Sequence, residues 1–143
     1  MFIGEYQHNL DAKGRIIIPA RLRDELGDKM YVTLGLDNNL LIYTAKQFEQ
    51  QAQEMLKLPS TNKFVRQYVA TFAGRAQEAE IDNQGRILIN SKLIESAGLV
   101  KKCVIVGKID HVELWDADRW DQYYNDAADS IEETAEKLTE YLR

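Results

Sequence analysis

LDAKGRIIIPA, Leu10–Ala20, and IDNQGRILINS, Ile81–Ser91, are two versions of one phrase set seventy-one residues apart in a chain of 143. Self-similarity at a long period is the first thing to test in a sequence, and here it extends well beyond the phrase. Phe2 and Gly4 match Phe72 and Gly74, Gln7 matches Gln77, and Arg21-Leu22 matches Lys92-Leu93. After a one-residue slip Tyr31–Gly35 aligns with Cys103–Gly107, Tyr43 with Trp115 and Phe48 with Trp120. Two copies of half a chain are too long and too few for a solenoid, so the pattern reads as a duplicated small domain.

Each copy carries the same predicted order, β-β-α-β-β. An alternating strand (5–10; 77–81) enters a four-residue turn, DAKG or DNQG, and leaves through an apolar strand, RIII or RILI. The glycine suits a turn position with φ above zero, and the aspartate accepts hydrogen bonds from turn N–H groups. A short helix follows (20–26; 91–97), closed by Gly27 or Gly98, and then a second hairpin (31–43; 101–115). Thr44-Ala45-Lys46-Gln47 has the form of a capping box for a helix whose apolar face is Phe48, Ala52, Met55 and Leu56, running up to Pro59. A helix over 64–72 leads into the second copy. Asp116 and Asp118 suit the start of a helix through Ala128, and Ser130 suits the cap of a last helix with Ile131, Ala135, Leu138 and Leu142 on one side. With only Pro19 and Pro59 interrupting the chain and no low-complexity linker, the two copies are expected to pack as one body. The expected divisions are a first module with its helix at 1–58, a connecting helix at 59–73 and a second module with C-terminal helices at 74–143.

Composition narrows the function. At 45% apolar and 29% charged residues, with no apolar run near the roughly 20 residues of a membrane helix, the chain reads as soluble, and its N-terminus lacks the pattern of a signal peptide; a cytoplasmic protein without a membrane partner is expected. One cysteine and two histidines give no metal framework, and no cofactor or metal is expected. The net charge of −5 is unevenly placed: residues 110–143 hold eleven acidic and three basic side chains, leaving residues 1–109 at +3. Attraction to phosphate depends on local patches, so the global sign does not exclude DNA.

Asp11-x-x-x-Arg15 and Asp82-x-x-x-Arg86 are the constellation that repeats with the phrase. In the bland reading the Asp organises its turn and pairs with the Arg, a surface feature worth about 0–1 kcal/mol. In the functional reading, a narrow hairpin tip presents an Arg fork able to bond guanine O6 and N7 together, and its repetition favours this reading. Lys13, Arg15, Arg21 and Arg23 surround the first motif, where the second has Gln84, Arg86, Lys92 and Ile94, so the first face is expected to grip phosphate more strongly.

FIGEYQHNLDAKGRIIIPARLR, Phe2–Arg23, with the second Asp-x-x-x-Arg in IDNQGRILI, resembles the MraZ family of bacterial transcriptional regulators over essentially the whole chain. The resemblance implies an α+β fold of two tandem AbrB/SpoVT-like swapped-hairpin modules, forming one compact, pseudo-symmetric, barrel-like body with flanking helices. It implies a sequence-specific regulator in the cytoplasm and nucleoid, binding double-stranded promoter DNA of the division and cell-wall gene cluster as a ring-shaped homo-oligomer. On matching positions the DNA-facing residues are Asp11, Lys13, Gly14 and Arg15, then Asp82, Gly85 and Arg86; Arg21, Arg23, Gln84 and Lys92 join them as neighbours. Asn90 stands where the first copy has Pro19. A fused pair of such modules completes within one chain the core that single modules complete by exchange between two. A remaining surface then supports head-to-tail contacts, and a closed ring presents its tips to direct repeats.

The sequence also suits two rival classes. For an enzyme, the candidates are His8 and His111 as bases, Cys103 as a nucleophile and Asp11 with Asp82 as a carboxylate pair, but Cys103 lies in the apolar run CVIV, His8 in an alternating strand and His111 in a hairpin turn with no adjacent acid or nucleophile pattern, and no P-loop, GxSxG or HExxH is present, so no catalysis is expected. The other rival is an antitoxin-like interaction module of the same fold, with Trp115, Trp120, Tyr123 and Tyr124 as anchors for a protein partner.

Overall fold

Glu5–Asn9 alternates exposed and half-buried side chains, as a strand with one face on a core does, and forms β1. The chain reverses at Asp11-Ala12-Lys13-Gly14 into β2, Arg15–Ile17. In an ordinary hairpin these strands would pair along their length. In this computed structural model, which describes residues 1–128 and 130–141, they separate after the first turn bond and go to different sheets. β1 pairs antiparallel with β7 (Lys102–Lys108), Tyr6 opposite Ile105, and β2 pairs with β6 (Arg86–Leu88), Ile16 opposite Ile87.

The remaining elements follow the predicted order. The first half has α1 (Ala20–Leu26), β3 (Lys29–Leu34), β4 (Leu40–Thr44), α2 (Ala45–Leu56) and α3 (Lys63–Arg75). The second has β5 (Gln77–Glu80), β6, α4 (Ser91–Ser96), β7, β8 (His111–Asp116), α5 (Ala117–Ala128) and α6 (Ile131–Glu136). The main sheet runs β1-β7-β8-β4-β3-β5, so each copy's first strand leaves its own half and edges the other's hairpin. The order reads the same from either end when the copies are exchanged. It remains an open sheet with β1 and β5 as its edges, and no closed sheet of the barrel-like kind expected from sequence forms among the described residues.

Between the sheet and the β2–β6 ribbon lies the core. Ile16, Ile18, Ile87 and Ile89 point inward from the ribbon and its ends, meeting Met30, Val32, Leu40, Ile42, Ile105, Val112 and Leu114 from the sheet. Leu22, Leu26 and Leu93 close the layer from α1 and α4. Period-two alternation explains why Ile17 and Leu88, in the same apolar runs, point outward and stay exposed.

Hydrogen-bonded register corrects two of the residue matches between copies. Met30 lies opposite Thr44 and Ala79, and Cys103 lies opposite Asp116 and His8, so Met30 rather than Tyr31 is the counterpart of Cys103. By the same pairing Gln77 is the counterpart of Tyr6, not Gln7: Tyr6 faces Ile105 and Gln77 faces Val32. The shared glycines and glutamines favour the wrong alignment, but a one-residue slip would turn every side chain to the other face. The second hairpin absorbs the difference, with five residues between β3 and β4 and two between β7 and β8.

Helix starts use different chemistry in the two copies. Asn90 Oδ1 accepts from Leu93 N at 2.9 Å, whereas Pro19 opens α1 with its fixed φ and no side-chain cap, so the departure between copies is an exchange of one helix start for another. Thr44 Oγ1 accepts from Gln47 N at 3.0 Å, as the capping box predicts. α3 begins one residue earlier than expected, where Asn62 Oδ1 accepts from both Phe64 N and Val65 N, and ends three residues later, at Arg75. Ser130 does not cap α6; its hydroxyl donates to Asp126 O at 3.2 Å instead. Of the expected last stripe, Ile131 and Leu138 are exposed, α6 stops at Glu136, and Leu142 lies outside the described residues.

The candidate groups for rival chemistries have structural surroundings. Trp115 is buried and meets Trp120 edge-on at 5.3 Å and Tyr123 at 4.7 Å, packing α5 on its own sheet. Cys103 is fully buried, and burial pushes its thiol up to about 11. His111 does have acidic neighbours, with Nδ1 at 2.7 Å from Asp110 Oδ1 and Nε2 at 3.3 Å from Glu113 Oε2. Burial pulls its pKa down, but the bonds to Glu113 and Asp110 outweigh that and leave it raised. Buried Glu113 also accepts from Lys108 Nζ at 3.1 Å and Trp115 Nε1 at 3.0 Å, so the group is a satisfied polar network beneath the helices.

Since both halves share one core, Ile16→Ala and Ile87→Ala are each expected to cost about 2–5 kcal/mol. Urea unfolding followed by tryptophan fluorescence and by far-UV circular dichroism should give one coincident, shifted transition for either variant. Separate transitions for the two probes would show that the halves unfold independently.

Candidate nucleic-acid interface

The two turns are built bond for bond alike. In the first, Asp11 N donates to Arg15 O at 2.9 Å and Gly14 N to Asp11 O at 3.0 Å; in the second, Asp82 N donates to Arg86 O at 2.8 Å and Gly85 N to Asp82 O at 3.0 Å. Asp11 Oδ1 accepts from Lys13 N at 2.9 Å and Arg15 N at 2.8 Å, and Asp82 Oδ1 accepts from Gln84 N and Arg86 N, both at 2.9 Å. The second carboxylate oxygen takes the guanidinium Nε, at 2.7 Å for Arg15 and 2.8 Å for Arg86. Gly14 and Gly85 hold φ of 83° and 76°, which a side chain would strain.

This geometry joins the bland and functional readings. One aspartate both folds its turn and fixes its arginine by Nε. The Nη groups of Arg15 and Arg86 have no protein partner among the described residues, so a planar face of N–H donors remains. The backbone N–H of Arg15 is the main cause holding the Asp11 carboxyl below the usual carboxylate range; burial opposes it, and the Arg15 guanidinium and Lys13 N–H add to it. Asp82 is lowered in the same way, first by the Arg86 N–H.

Cross-copy pairing then places both arginines on one surface. Arg15 lies opposite Leu88 and Arg86 opposite Ile17, so the two are diagonal neighbours on the outward face, on the order of 7 Å apart at Cα. Ile17 and Leu88 complete that face, and the inward face is the buried Ile16 and Ile87. The turns are locked to the opposite copy: Ile89 N donates to Gly14 O and Ile18 N to Gly85 O, both at 2.8 Å. A two-stranded antiparallel ribbon of this kind fits the major groove of B-DNA.

The other candidates are more scattered. Lys13 and Gln84 are exposed on their turns, and Arg21 and Lys92 are exposed in the first turns of α1 and α4, with no side-chain hydrogen bond among the described residues tying them to a tip. Arg23 does not join the first tip; its guanidinium lies over Gly85 of the second. Ile17 and Leu88 share the outward face although no local motif marks them. The alternation in RIII and RILI carries that signal once one face is known to be buried.

A depressed aspartate pKa means that the ordering it provides is complete above the ordinary carboxylate value and is lost as pH falls through the folded-state value. Amide hydrogen exchange of Lys13, Arg15, Gln84 and Arg86, normalised for the intrinsic pH effect, is therefore expected to accelerate on the acid side in step with titration of Asp11 and Asp82. Protection unchanged through that titration would show that the carboxylates do not hold the turns.

Comparison with known proteins agrees with the repeat. The family model described as "MraZ protein, putative antitoxin-like" matches twice, over residues 1–69 and 72–141. Among curated relatives, a protein of Halothermothrix orenii is 47% identical over 135 residues, covering 94% of each chain. One of Acetivibrio thermocellus is 46% identical over 138 residues, 96% of each chain. One of Desulforamulus reducens is 44% identical over 142 residues, covering 99% of this chain and all of the relative. All three carry the name "Transcriptional regulator MraZ". With both halves matched and near-complete coverage at these identities, the chain belongs to the MraZ family.

Proposed function

We propose that this chain is a sequence-specific DNA-binding transcriptional regulator that needs no cofactor and catalyses no reaction. The observation that carries the reading is the outward face of the β2–β6 ribbon, where Arg15 and Arg86 stand side by side, each braced by its own aspartate with Nη donors to spare. Bracing lowers the side-chain entropy lost when the fork meets a guanine edge. The relatives' name, transcriptional regulator, supports the same reading.

The finer terms follow from the family likeness. The target is double-stranded promoter DNA with short direct repeats ahead of the division and cell-wall gene cluster, reached in the cytoplasm and nucleoid; no helix among the described residues is long and apolar enough to cross a membrane. The modules, 1–58 and 74–143 joined by 59–73, form one pseudo-symmetric body that assembles with further copies into a ring. Exposed Leu56, Leu58, Phe64 and Tyr68 on and between α2 and α3, beside Lys57, Lys63 and Arg66, suit a head-to-tail contact with the acidic α5–α6 face bearing Tyr124, Ile131 and Leu138. A second reading, an antitoxin-like protein-interaction module, draws on the family description and on that same exposed apolar set.

Arg15→Ala and Arg86→Ala are each expected to weaken binding to the duplex immediately upstream of the gene by about 1–3 kcal/mol, with little change in melting temperature. Fluorescence anisotropy against a scrambled duplex, across a salt series, reads this directly. Full discrimination in both variants would overturn the ribbon as the reading surface. Equal, weak binding of both duplexes by the parent chain would favour the protein-partner reading.

A further inference from the structure

Judged by neighbours in sequence, the two tips are unequal. The first has Lys13 where the second has Gln84, and α1 carries Arg23 where α4 carries Ile94. The fold crosses these differences. An ideal Cβ placed on Gly85 would come within 2.2 Å of Arg23 Cζ and 2.3 Å of its Nη2, so the guanidinium of the first copy lies directly on the turn of the second. At the first turn the nearest side-chain atom is Ile94 Cδ1, 3.1 Å from an ideal Cβ on Gly14, beside the Ile89 backbone oxygen at 3.0 Å.

Arg23 is held there by a short chain of bonds. Its Nε donates to Ile18 O at 2.7 Å, and Ile18 N donates to Gly85 O at 2.8 Å. Asp24, Asp28 and Asp82 line the groove beside it, but none forms an ion pair with it among the described residues, and Asp82 is taken by Arg86. The Nη donors of the guanidinium therefore stay without a protein partner among the described residues, at the tip.

We propose that the second DNA-contact site is composite, with Arg23 of the first copy acting beside Arg86 as the phosphate-binding cation that Gln84 cannot supply. Each tip then offers an aspartate-braced arginine and one further cation, Lys13 at the first and Arg23 at the second. Arginine suits the second place because its planar fork lies flat on a turn that has no Cβ and still presents donors to a phosphate. This assignment rests on the DNA-binding reading, and it replaces the expectation that the first face grips phosphate more strongly.

The test uses the full chain and the upstream duplex, with anisotropy measured from low to moderate salt. Arg23→Ile, which installs the second copy's own residue, is expected to lower the slope of log affinity against log salt by about one contact's worth, near 0.9, with Arg23→Lys keeping most of it. Ile94→Arg is expected to raise the slope by about the same amount. Thermal melts and amide exchange at Gly85 report whether each variant keeps its fold and turn. An unchanged slope in folded Arg23→Ile, or in folded Arg23→Gln should Arg23→Ile fail to fold, overturns the composite site while the Arg15 and Arg86 effects stand. If neither Arg15→Ala nor Arg86→Ala alters binding, the DNA reading fails and this inference fails with it.

Discussion

Pairing between β2 and β6 is the interaction on which the rest of the molecule depends. Each strand is three residues long, too short to hold itself, and the ribbon exists because Ile16 and Ile87 are buried beneath it on a shared core. That burial fixes which face points out, and with it the position of both arginines. The same pairing brings each turn against the end of the other copy's strand through Gly14 O and Gly85 O. Neither tip is therefore a free loop. A tip of four residues with a glycine would sample many conformations alone, and here its backbone is held from inside by an aspartate and from outside by the opposite copy.

The aspartate solves a problem of competing demands. An arginine that must meet a ligand cannot be neutralised by a buried bidentate partner, yet an unrestrained one loses rotamer freedom on binding. Bonding through Nε alone leaves the outer edge available and removes much of that freedom beforehand. Because the carboxylate spends its other oxygen on two backbone N–H groups, the turn and the side chain are ordered together. An isolated surface ion pair would contribute little; this one shares its acceptor with the backbone, and a change at the aspartate reaches the whole tip.

Much of this was legible in the sequence, for local reasons. The duplicated phrase, the element order β-β-α-β-β, the glycine turns and the Thr44 cap all follow from spacing and turn chemistry within a few residues. Strand partners did not follow, because β1 finds β7 and β2 finds β6 across about half the chain or more, and nothing local marks that choice. The slip between Tyr31 and Met30 as counterpart of Cys103 has the same origin: identity at glycines suggested one alignment, and burial parity imposed another. In the chain Arg23 belongs with the first motif, eight residues from Arg15, while in space its neighbour is Gly85. Ser130 had the sequence of a cap, but its hydroxyl returns to the preceding helix.

Fusion of two copies has a consequence beyond completing the core. In a dimer of identical modules every tip would be alike, since any change at one would be repeated at the other. Within one chain the copies vary separately, and the cross-copy contacts decide where each variation is felt. Gln84 in place of Lys13 removes a cation from the second turn, and Ile94 in place of Arg23 removes one from the second helix. If each helix covered its own turn, both losses would fall on one tip and leave it with Arg86 alone. Exchange of the strands places them on opposite tips, Gln84 beside Arg23 and Ile94 beside Lys13, so the sequence asymmetry is spread by the topology and each tip keeps two cations.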